Sequence, residues 1–236
     1  MADLRTNFLG IKSPNPFWLA SAPPTDKEYN VVRAFKAGWG GVVWKTLGSQ
    51  VKNVSSRYSS VDYGGHRIMG FNNIELISDR PLDINLREIR EVLREFPDRA
   101  MVVSLMADNY REAWHEMVKK VEDTGAHGIE LNFGCPHGMC ERGMGSAVGN
   151  EPKVLEEIQA AVGAKYGVDK PFDLVFHGGS GSLLSEIREA LDYGVVKMNI
   201  DTDTQYAFTR SVADTMFRNY DGVLKVDGEM GNKKIY

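Results

Sequence analysis

Three groups of side chains that could do chemistry stand just after apolar runs. Ala20–Ser21 and Lys45–Thr46 end two such runs, and Asn132 ends a third, shortly before Cys135. Short apolar runs favour strands, and in parallel α/β sheets ligands collect at the carboxyl ends of the strands. A lone Cys is more often buried than reactive, and a lone Asn often serves a turn. Because an amide, a thiol and several glycines share the segment 132–149, we predict a binding or catalytic site there.

A separate set of candidate residues lies further along the chain, where a predicted strand runs into the sequence HGGSGS at residues 177–182. Glycine permits close backbone approach, and the N–H groups of such a turn and of the helix after it converge on an anion. Alone, this turn could equally be a plain tight loop. Because Asn199–Thr202 follows the next predicted strand, and barrels often bind phosphate after their last two strands, we predict a phosphate site. The candidate residues are Gly178, Gly179, Ser180, Asn199, Asp201 and Thr202.

The candidate groups lie on a chain in which predicted strands alternate with helices that are apolar on one face. Such alternation predicts a parallel sheet. Glycines precede three of the strands, where a helix end favours a residue that tolerates positive φ; they are Gly38, Gly125 and Gly194. The predicted strands are Phe17–Ala22, Gly41–Thr46, Met101–Met106, Gly128–Phe133, Asp173–His177 and Val195–Ile200. Helical spacing relates Leu86, Ile89, Leu93 and Phe96, then Trp114, Met117, Val118 and Val121, then Val154, Leu155, Ile158 and Val162, and finally Ile187, Ala190 and Leu191.

The predicted fold is α/β, of the (β/α) TIM-barrel type, with an N-terminal hairpin or loop over residues 4–16. A closed barrel of eight units takes about 250 residues. This chain has 236 residues and six recognisable strand and helix units, so we expect an incomplete or rearranged barrel. The Ser/Gly/Asn-rich segment Val51–Ser78 shows no strong periodicity and is predicted to be a functional or mobile loop. Exposed strand edges would favour a homo-oligomer.

Composition narrows the classes of partner. With 42% apolar and 25% charged residues and a net charge of −4, the chain is typical of a soluble protein with no basic field for nucleic acid or an anionic membrane. It has no apolar run of about 18 residues and no signal-peptide pattern, so we expect a cytoplasmic protein without a membrane span. Its two cysteines, Cys135 and Cys140, are too few for a disulfide framework or an unaided iron–sulfur cluster.

Residues 1–149 resemble the flavin-bearing subunit of NAD-dependent dihydropyrimidine dehydrogenase, a relative of the FMN-binding dihydroorotate dehydrogenases. The resemblance rests on four ordered motifs, SPNPFWLASAPPTD, GWGGVVWKTLG, FNNIELISDRPL and ELNFGCPHGMCERGMGSAVG. It implies that FMN lies against Ala20, Ser21, Lys45 and Thr46, that Asn73 and Asn132 hold a pyrimidine, and that Cys135 is the general acid. A thiol suits that role, since reduction of a C5=C6 bond needs a hydride at one carbon and a proton at the other. Cys140 departs from the family motif; it either plays no part or oxidises with Cys135.

Residues 150–236 instead resemble the C-terminal part of class II fructose-bisphosphate aldolase. The motifs are KPFDLVFHGGSGS, ALDYGVVKMNIDTDTQYAFTR and NYDGVLKVDGEMGNKKIY. The resemblance implies that His177 is a zinc ligand. A catalytic zinc needs about three protein ligands, and the family's other two histidines belong to strands that this sequence lacks. We therefore expect a chimera with a join near Gly149–Glu151, whose second part is truncated relative to the aldolases.

The leading functional hypothesis is FMN-dependent reduction of uracil or thymine, with a partner subunit that oxidises NADH through flavin and iron–sulfur groups. The glycine turn at 178–182 would receive the FMN phosphate. One alternative is zinc-dependent aldol cleavage of a phosphorylated sugar, a lyase reaction. Because missing barrel units would displace catalytic groups, the other alternative is a non-catalytic scaffold that binds phosphate.

Overall fold

The computed structural model describes residues 2–48, 58–71, 77–108, 110–133, 160–169, 171–176, 180–192 and 195–219. The chain divides into two compact units, Met1–Ile158 and Gln159–Tyr236. None of the helices in these described ranges is both long enough and apolar enough to span a bilayer.

The N-terminal unit is a parallel sheet covered by helices. Its strands are β1 (Thr6–Phe8), β2 (Ile11–Ser13), β3 (Trp18–Leu19), β4 (Gly41–Leu47), β5 (Tyr58–Tyr63), β6 (His66–Phe71), β7 (Ala100–Leu105) and β8 (Gly128–Leu131). Its helices are α1 (Glu28–Lys36), α2 (Leu82–Glu95) and α3 (Arg111–Glu122), with a 3₁₀ turn at Pro23–Thr25. Strands β3, β4, β7 and β8 lie side by side in that order, all parallel, and β1 and β2 form the predicted hairpin.

The core forms where α1, α2 and α3 pack on the central strands. Every residue of β7 is buried, as is all of β4 except Lys45, because a strand between two neighbours and under helices has no face left for solvent. The residues predicted from helical spacing in α2 and α3 all belong to this core or pack against it. Helices α1 and α3 give way to Gly38 and Gly125 at φ +102° and +84°, as the sequence predicted.

A β-bulge interrupts β4 at the predicted site. Trp44 lies opposite Val103 and Leu47 lies opposite Leu105, with a shift of register between them. Two residues of β4, Lys45 and Thr46, therefore lie opposite the single β7 residue between Val103 and Leu105. Bulges of this kind re-aim side chains at functional edges of sheets.

A buried polar contact fixes α2 against β4. Trp44 donates its indole N–H to Oδ1 of Asn85 at 3.0 Å, and neither side chain has measurable exposure. Nδ2 of Asn85 donates to the carbonyl of Pro81 at 3.0 Å. Because each buried polar group has a partner, the first turn of α2 is held in one position on the sheet.

The prediction of a loop at Val51–Ser78 is wrong over its described middle part. Strands β5 and β6 pair antiparallel there, with Tyr63 opposite His66. Gly64 and Gly65 form the turn at φ +57° and +78°, the conformation that a two-residue hairpin turn requires. The Gly-Gly pair was the sequence signal for this hairpin turn. It was overlooked because the residues on both sides are largely polar and show no apolar strand pattern.

The C-terminal unit contains residues 160–166, which are helical (α4), then β9 (Leu174–Phe176), α5 (Leu184–Asp192), β10 (Val195–Met198) and α6 (Thr202–Arg218). Strands β9 and β10 pair in parallel. The sequence analysis predicted both strands and α5. It missed α6, and it also missed α1, although Val31, Ala34 and Phe35 of α1 stand at helical spacing. The predicted α/β class with parallel strands is confirmed; among the described residues these strands form an open sheet of four in one unit and a pair in the other.

An ion pair ties the segment before α2 to the loop before α1. The guanidinium of Arg80 donates to both carboxylate oxygens of Glu88 and, at 2.7 Å, to the carbonyl of Asp26. The backbone N–H of Glu28 donates to the same carboxylate at 3.0 Å. Burial would raise the pKa of Glu88, but the hydrogen bonds from Arg80 and from the N–H of Glu28 and the nearby positive charges together outweigh it, so the pKa lies below its usual value.

We expect Glu88→Gln to lower the free energy of unfolding at pH 7 by about 1–3 kcal/mol, because Arg80 is left without its counter-charge. A depressed carboxyl pKa stabilises the fold above the unfolded-state pKa, and this contribution is lost as the pH falls through the folded-state pKa. The difference between variant and wild type should therefore shrink from pH 7 to pH 3 in urea titrations. Glu116→Gln, which breaks an exposed pair with Lys120, is the control and should cost about 0.5 kcal/mol or less. An equal loss from Glu88→Gln at both pH values would contradict the assignment.

Candidate functional site

Four polar side chains meet at the carboxyl ends of the four parallel strands. Thr46 is the centre of this group, which we call the hydroxyl cluster. Its Oγ1 lies 3.1 Å from Oγ of Ser21 and 2.9 Å from Oγ of Ser104, and it accepts from Nδ2 of Asn132 at 2.9 Å. Each strand thus contributes one member at or just beyond its end.

Backbone pairing brings the members of the cluster together. The N–H of Thr46 donates to Oγ of Ser21 at 3.0 Å, which joins the chain after β3 to β4. The N–H of Asn132 donates to the carbonyl of Leu105 at 2.8 Å, which continues the β7–β8 ladder past the end of β8. The cluster is therefore a consequence of the register of the sheet.

The two central members are deeply buried. Ser104 has no exposed surface and Thr46 is 4% exposed, whereas Ser21 and Asn132 are half-buried. A buried hydroxyl without a partner costs about 1–3 kcal/mol. The cluster is thus held together by the cost of separating its members, while its outer members lie half-buried at the carboxyl edge of the sheet.

Ser104 is the member that the sequence analysis missed. It lies within the apolar run Met101–Met106, which was predicted only as a strand. A single hydroxyl inside a buried strand must find a partner, and that requirement was the signal available.

The remaining predicted residues of this unit lie beside the cluster. Ala20 is half-buried, and its carbonyl accepts from Oγ1 of Thr25 at 3.3 Å. The same Thr25 oxygen accepts from the N–H of Ala22 at 3.2 Å, so one fully buried side chain shapes the turn after β3. Lys45 is half-buried on the bulge of β4. Of the residues that resemblance assigned to FMN and substrate in this unit, Ser21, Thr46 and Asn132 are joined by direct hydrogen bonds.

A cleft of about 390 Å³ opens at the same edge of the sheet, between the segments after β4 and β7 and the helices α2 and α3. Small-molecule sites have volumes of about 300–1,000 Å³. Gly48 lines this cleft, and a larger residue would not fit there, because its Cβ would lie 2.5 Å from the carbonyl oxygen of Met106. The polar side chains that line the cleft are Asp108, Tyr110, Glu116 and Lys120.

In the C-terminal unit, two loops are joined at the predicted phosphate site. The N–H of Asp203 donates to Oγ of Ser180 at 3.1 Å, and the N–H of Gly181 donates to the carboxylate of Asp203 at 3.2 Å. A carboxylate of the chain itself thus occupies one backbone donor of the glycine turn. Thr202 opens α6, and Asp201 precedes it with its carboxylate accepting from Nε2 of Gln205 at 2.7 Å. Asn199 follows β10 and is half-buried.

Several predicted site residues fall outside the described ranges, namely Asn73, Cys135, His177, Gly178 and Gly179. Their roles stay predictions. Within the described ranges, no three His, Cys, Asp or Glu side chains are grouped as metal ligands would be.

The family model for class II fructose-bisphosphate aldolases matches residues 81–234. A fructose-bisphosphate aldolase from Streptomyces galbus is 57% identical over 114 residues, which cover 48% of this chain and 33% of that protein. The match to the family model begins before the join that we predicted at Gly149–Glu151.

Two dihydropyrimidine dehydrogenases are also similar. The chloroplastic NADP(+) enzyme of Arabidopsis thaliana is 42% identical over 171 residues, covering 69% of this chain and 40% of that protein. The NAD-dependent dihydropyrimidine dehydrogenase subunit PreA of Escherichia coli is 38% identical over 161 residues, covering 68% and 39%. The chain thus spans between a third and two fifths of the length of these three relatives. The mixed resemblance predicted from the motifs is confirmed.

We expect Thr46→Val to lower the free energy of unfolding by about 1–3 kcal/mol, because the isosteric side chain leaves the buried hydroxyl of Ser104 without this partner. Urea denaturation at neutral pH measures the change. Thr6→Val is the control, since the hydroxyl of Thr6 bonds an exposed carbonyl, that of Leu4, and its loss should change stability by about 0.5 kcal/mol or less. Equal effects of the two substitutions would show that the hydroxyl cluster does not stabilise the sheet.

Proposed function

Since the chain belongs to the class II fructose-bisphosphate aldolase family through residues 81–234 and is also similar to dihydropyrimidine dehydrogenases, we propose that it binds a phosphorylated small molecule at the carboxyl ends of its strands. We propose further that this molecule is FMN and that the reaction is reduction of the C5=C6 bond of uracil or thymine. The observation that supports this most directly is the hydrogen-bonded set of Ser21, Thr46 and Asn132.

The chemistry of the donor set fits a flavin and a pyrimidine. The hydroxyl cluster is neutral, and neutral hydroxyl and amide groups suit an uncharged ring with carbonyl and N–H groups along its edge. Lys45 is the one cation among the predicted flavin contacts, and a positive charge suits a ring that becomes electron-rich on reduction. Bound FMN would supply the hydride for one carbon of the pyrimidine double bond.

The residues of the chain would do the rest. The amides of Asn132 and Asn73 would hold the ring edge, and the thiol of Cys135 would give its proton to the second carbon of the double bond. A partner that oxidises NADH would return electrons to the flavin, since the chain offers two cysteines and no cluster-binding set of its own. The glycine turn that includes Ser180 is the candidate phosphate site of the C-terminal unit.

We expect the full chain to quench flavin fluorescence when it is titrated with FMN. Lys45→Gln should weaken binding by about tenfold or more, because a hydrogen bond from a charged donor is lost. Lys12→Gln, an exposed residue of β2, is the matched control and should leave the dissociation constant unchanged. The proposal fails if the wild type gives no quenching at high micromolar FMN, or if both variants weaken binding equally.

The second candidate function is metal-dependent aldol cleavage of a sugar bisphosphate, and the match of the family model favours it. His177 would be one zinc ligand, with the metal polarising the substrate carbonyl. Cleavage of fructose 1,6-bisphosphate that a chelator abolishes, and that does not depend on FMN, would select this function over the first. A protein that binds phosphate and catalyses neither reaction would be the non-catalytic scaffold.

Aldol cleavage of a sugar bisphosphate needs the glycine turn to accept a phosphate, and there the carboxylate of Asp203 competes for the N–H of Gly181. Two charges about 4 Å apart in water repel by about 1 kcal/mol, so Asp203→Asn should tighten binding of inorganic phosphate by about fivefold. Isothermal titration of the full chain measures this. Asp214→Asn, in the same helix but paired with Arg218, is the control and should have no effect. Weaker phosphate binding in Asp203→Asn would show that this carboxylate supports the site instead.

A further inference from the structure

Thr25 carries a fully buried hydroxyl in the turn that follows β3. Its Oγ1 accepts from the backbone N–H of Ala22 at 3.2 Å. The same oxygen donates toward the carbonyl oxygens of Ala20 and Ala22, at 3.3 and 3.0 Å, which share its one proton. A single side chain thus ties together the two residues on either side of Ser21.

Ser21 is the member of the hydroxyl cluster that this turn carries. Its Oγ accepts from the backbone N–H of Thr46 at 3.0 Å and lies 3.1 Å from Oγ1 of Thr46. Both contacts join the turn to β4, and both have lengths at which a small displacement weakens a hydrogen bond. The contact of Ser21 with Thr46 therefore depends on how the backbone of Ala20 and Ala22 is held.

A methyl group cannot replace Oγ1 of Thr25 unless the turn moves. Non-bonded carbon atoms make their best contacts at about 3.5–4.0 Å, whereas this oxygen lies 3.0–3.3 Å from its three backbone partners. Valine has the shape of threonine, so it leaves no room for a water at this buried position. Thr25→Val would therefore push Ala20 and Ala22 away from the side chain and shift Ser21 between them.

The backbone of the same turn offers an anion no free donor between Ala22 and Asp26. The N–H of Ala22 is bonded to Thr25, and Pro23 and Pro24 have no N–H. The N–H groups of Thr25 and Asp26 donate to the carbonyls of Ala22 and Pro23, at 2.9 and 3.3 Å. Phosphate sites are built from several free N–H groups that converge. This turn is therefore suited to an uncharged part of a ligand.

We propose that Thr25 is a positioning residue, which acts through the backbone of Ala20 and Ala22 to hold Ser21 on Thr46 and to place this turn against the uncharged ring of a flavin. The part that concerns the flavin rests on the proposed reductase function. The part that concerns the contact between Ser21 and Thr46 does not.

Exchange of the Thr46 backbone N–H with water reports its bond to Ser21 and needs no ligand. It can be followed in the full chain labelled with ¹⁵N-threonine, with the signal assigned by its loss in Thr46→Ser. Thr25→Val should speed this exchange by about tenfold or more, because the acceptor is displaced. Thr25→Ser keeps the hydroxyl and should restore the slow exchange of the wild type.

Thr124 supplies the matched control, because it makes the same pair of bonds at another turn. It is 8% exposed, and its Oγ1 donates to the carbonyl of Val121 at 2.6 Å and accepts from the N–H of Ala126 at 3.3 Å. Thr124→Val should lower the urea midpoint as Thr25→Val does, yet it should leave the Thr46 N–H exchanging at least about fivefold more slowly than in Thr25→Val. Equal exchange in the two valine variants would overturn the proposal, since the effect would then be a general loss of stability.

The ligand part is tested by fluorescence titration with FMN and with riboflavin, which has the same ring and no phosphate. Thr25→Val should weaken the binding of both by the same factor, about tenfold, whereas Thr25→Ser and Thr124→Val should stay within about twofold of the wild type. A loss for FMN and not for riboflavin would show that Thr25 acts on the phosphate end, which contradicts the proposal.

The two measurements separate failure of this inference from failure of the proposed function. A wild type that binds neither flavin would reject the proposed function and the ligand part with it, while the exchange of the Thr46 N–H would still decide whether Thr25 holds Ser21. Unchanged flavin binding in Thr25→Val, beside normal binding by the wild type, would reject Thr25 as a determinant of the site alone.

Discussion

The arrangement of the N-terminal unit depends on the need to pair two hydroxyls that its sheet buries. Thr46 and Ser104 lie on the two central strands, where water does not reach them, and each would destabilise the fold if left alone. They bond to each other, and Thr46 also bonds to Ser21 and Asn132 beyond the two edge strands. The need to pair two buried hydroxyls thus brings together the carboxyl ends of four strands and leaves Ser21 and Asn132 half-buried at that edge of the sheet.

Other buried polar contacts make this edge rigid. Trp44 and Asn85 hold α2 on β4, and Arg80 and Glu88 hold the segment before α2 against the loop before α1. These contacts lie in segments that flank the hydroxyl cluster. They hold α2 and β4 in place and add no charge to the cluster itself. The C-terminal unit has a different character, since its glycine turn already binds the carboxylate of Asp203. One unit thus presents neutral donors suited to a ring, and the other presents backbone donors suited to an anion.

Much of the fold could be predicted because burial leaves a direct mark on sequence. Strands β4 and β7 are apolar because they are covered on both faces, and Leu86 and Ile89 repeat at helical spacing because one face of α2 meets them. Helix α6 has no such mark, as none of its side chains is buried among the residues described. The hairpin of β5 and β6 was missed for a related reason, since its described side chains are exposed and only Gly64 and Gly65 signalled its turn.

The sequence by itself determined the class of fold, the positions of its main parallel strands and the likeness to two enzyme families, because apolar period and local motifs are properties of neighbouring residues. It also marked Ser21, Thr46 and Asn132 through a motif. Only the tertiary structure decided that these three bond through one oxygen, that a bulge sets Thr46 against β7, and that Ser104 completes the set. Hydrogen bonds between strands depend on register, and register is set by contacts between residues far apart in the chain.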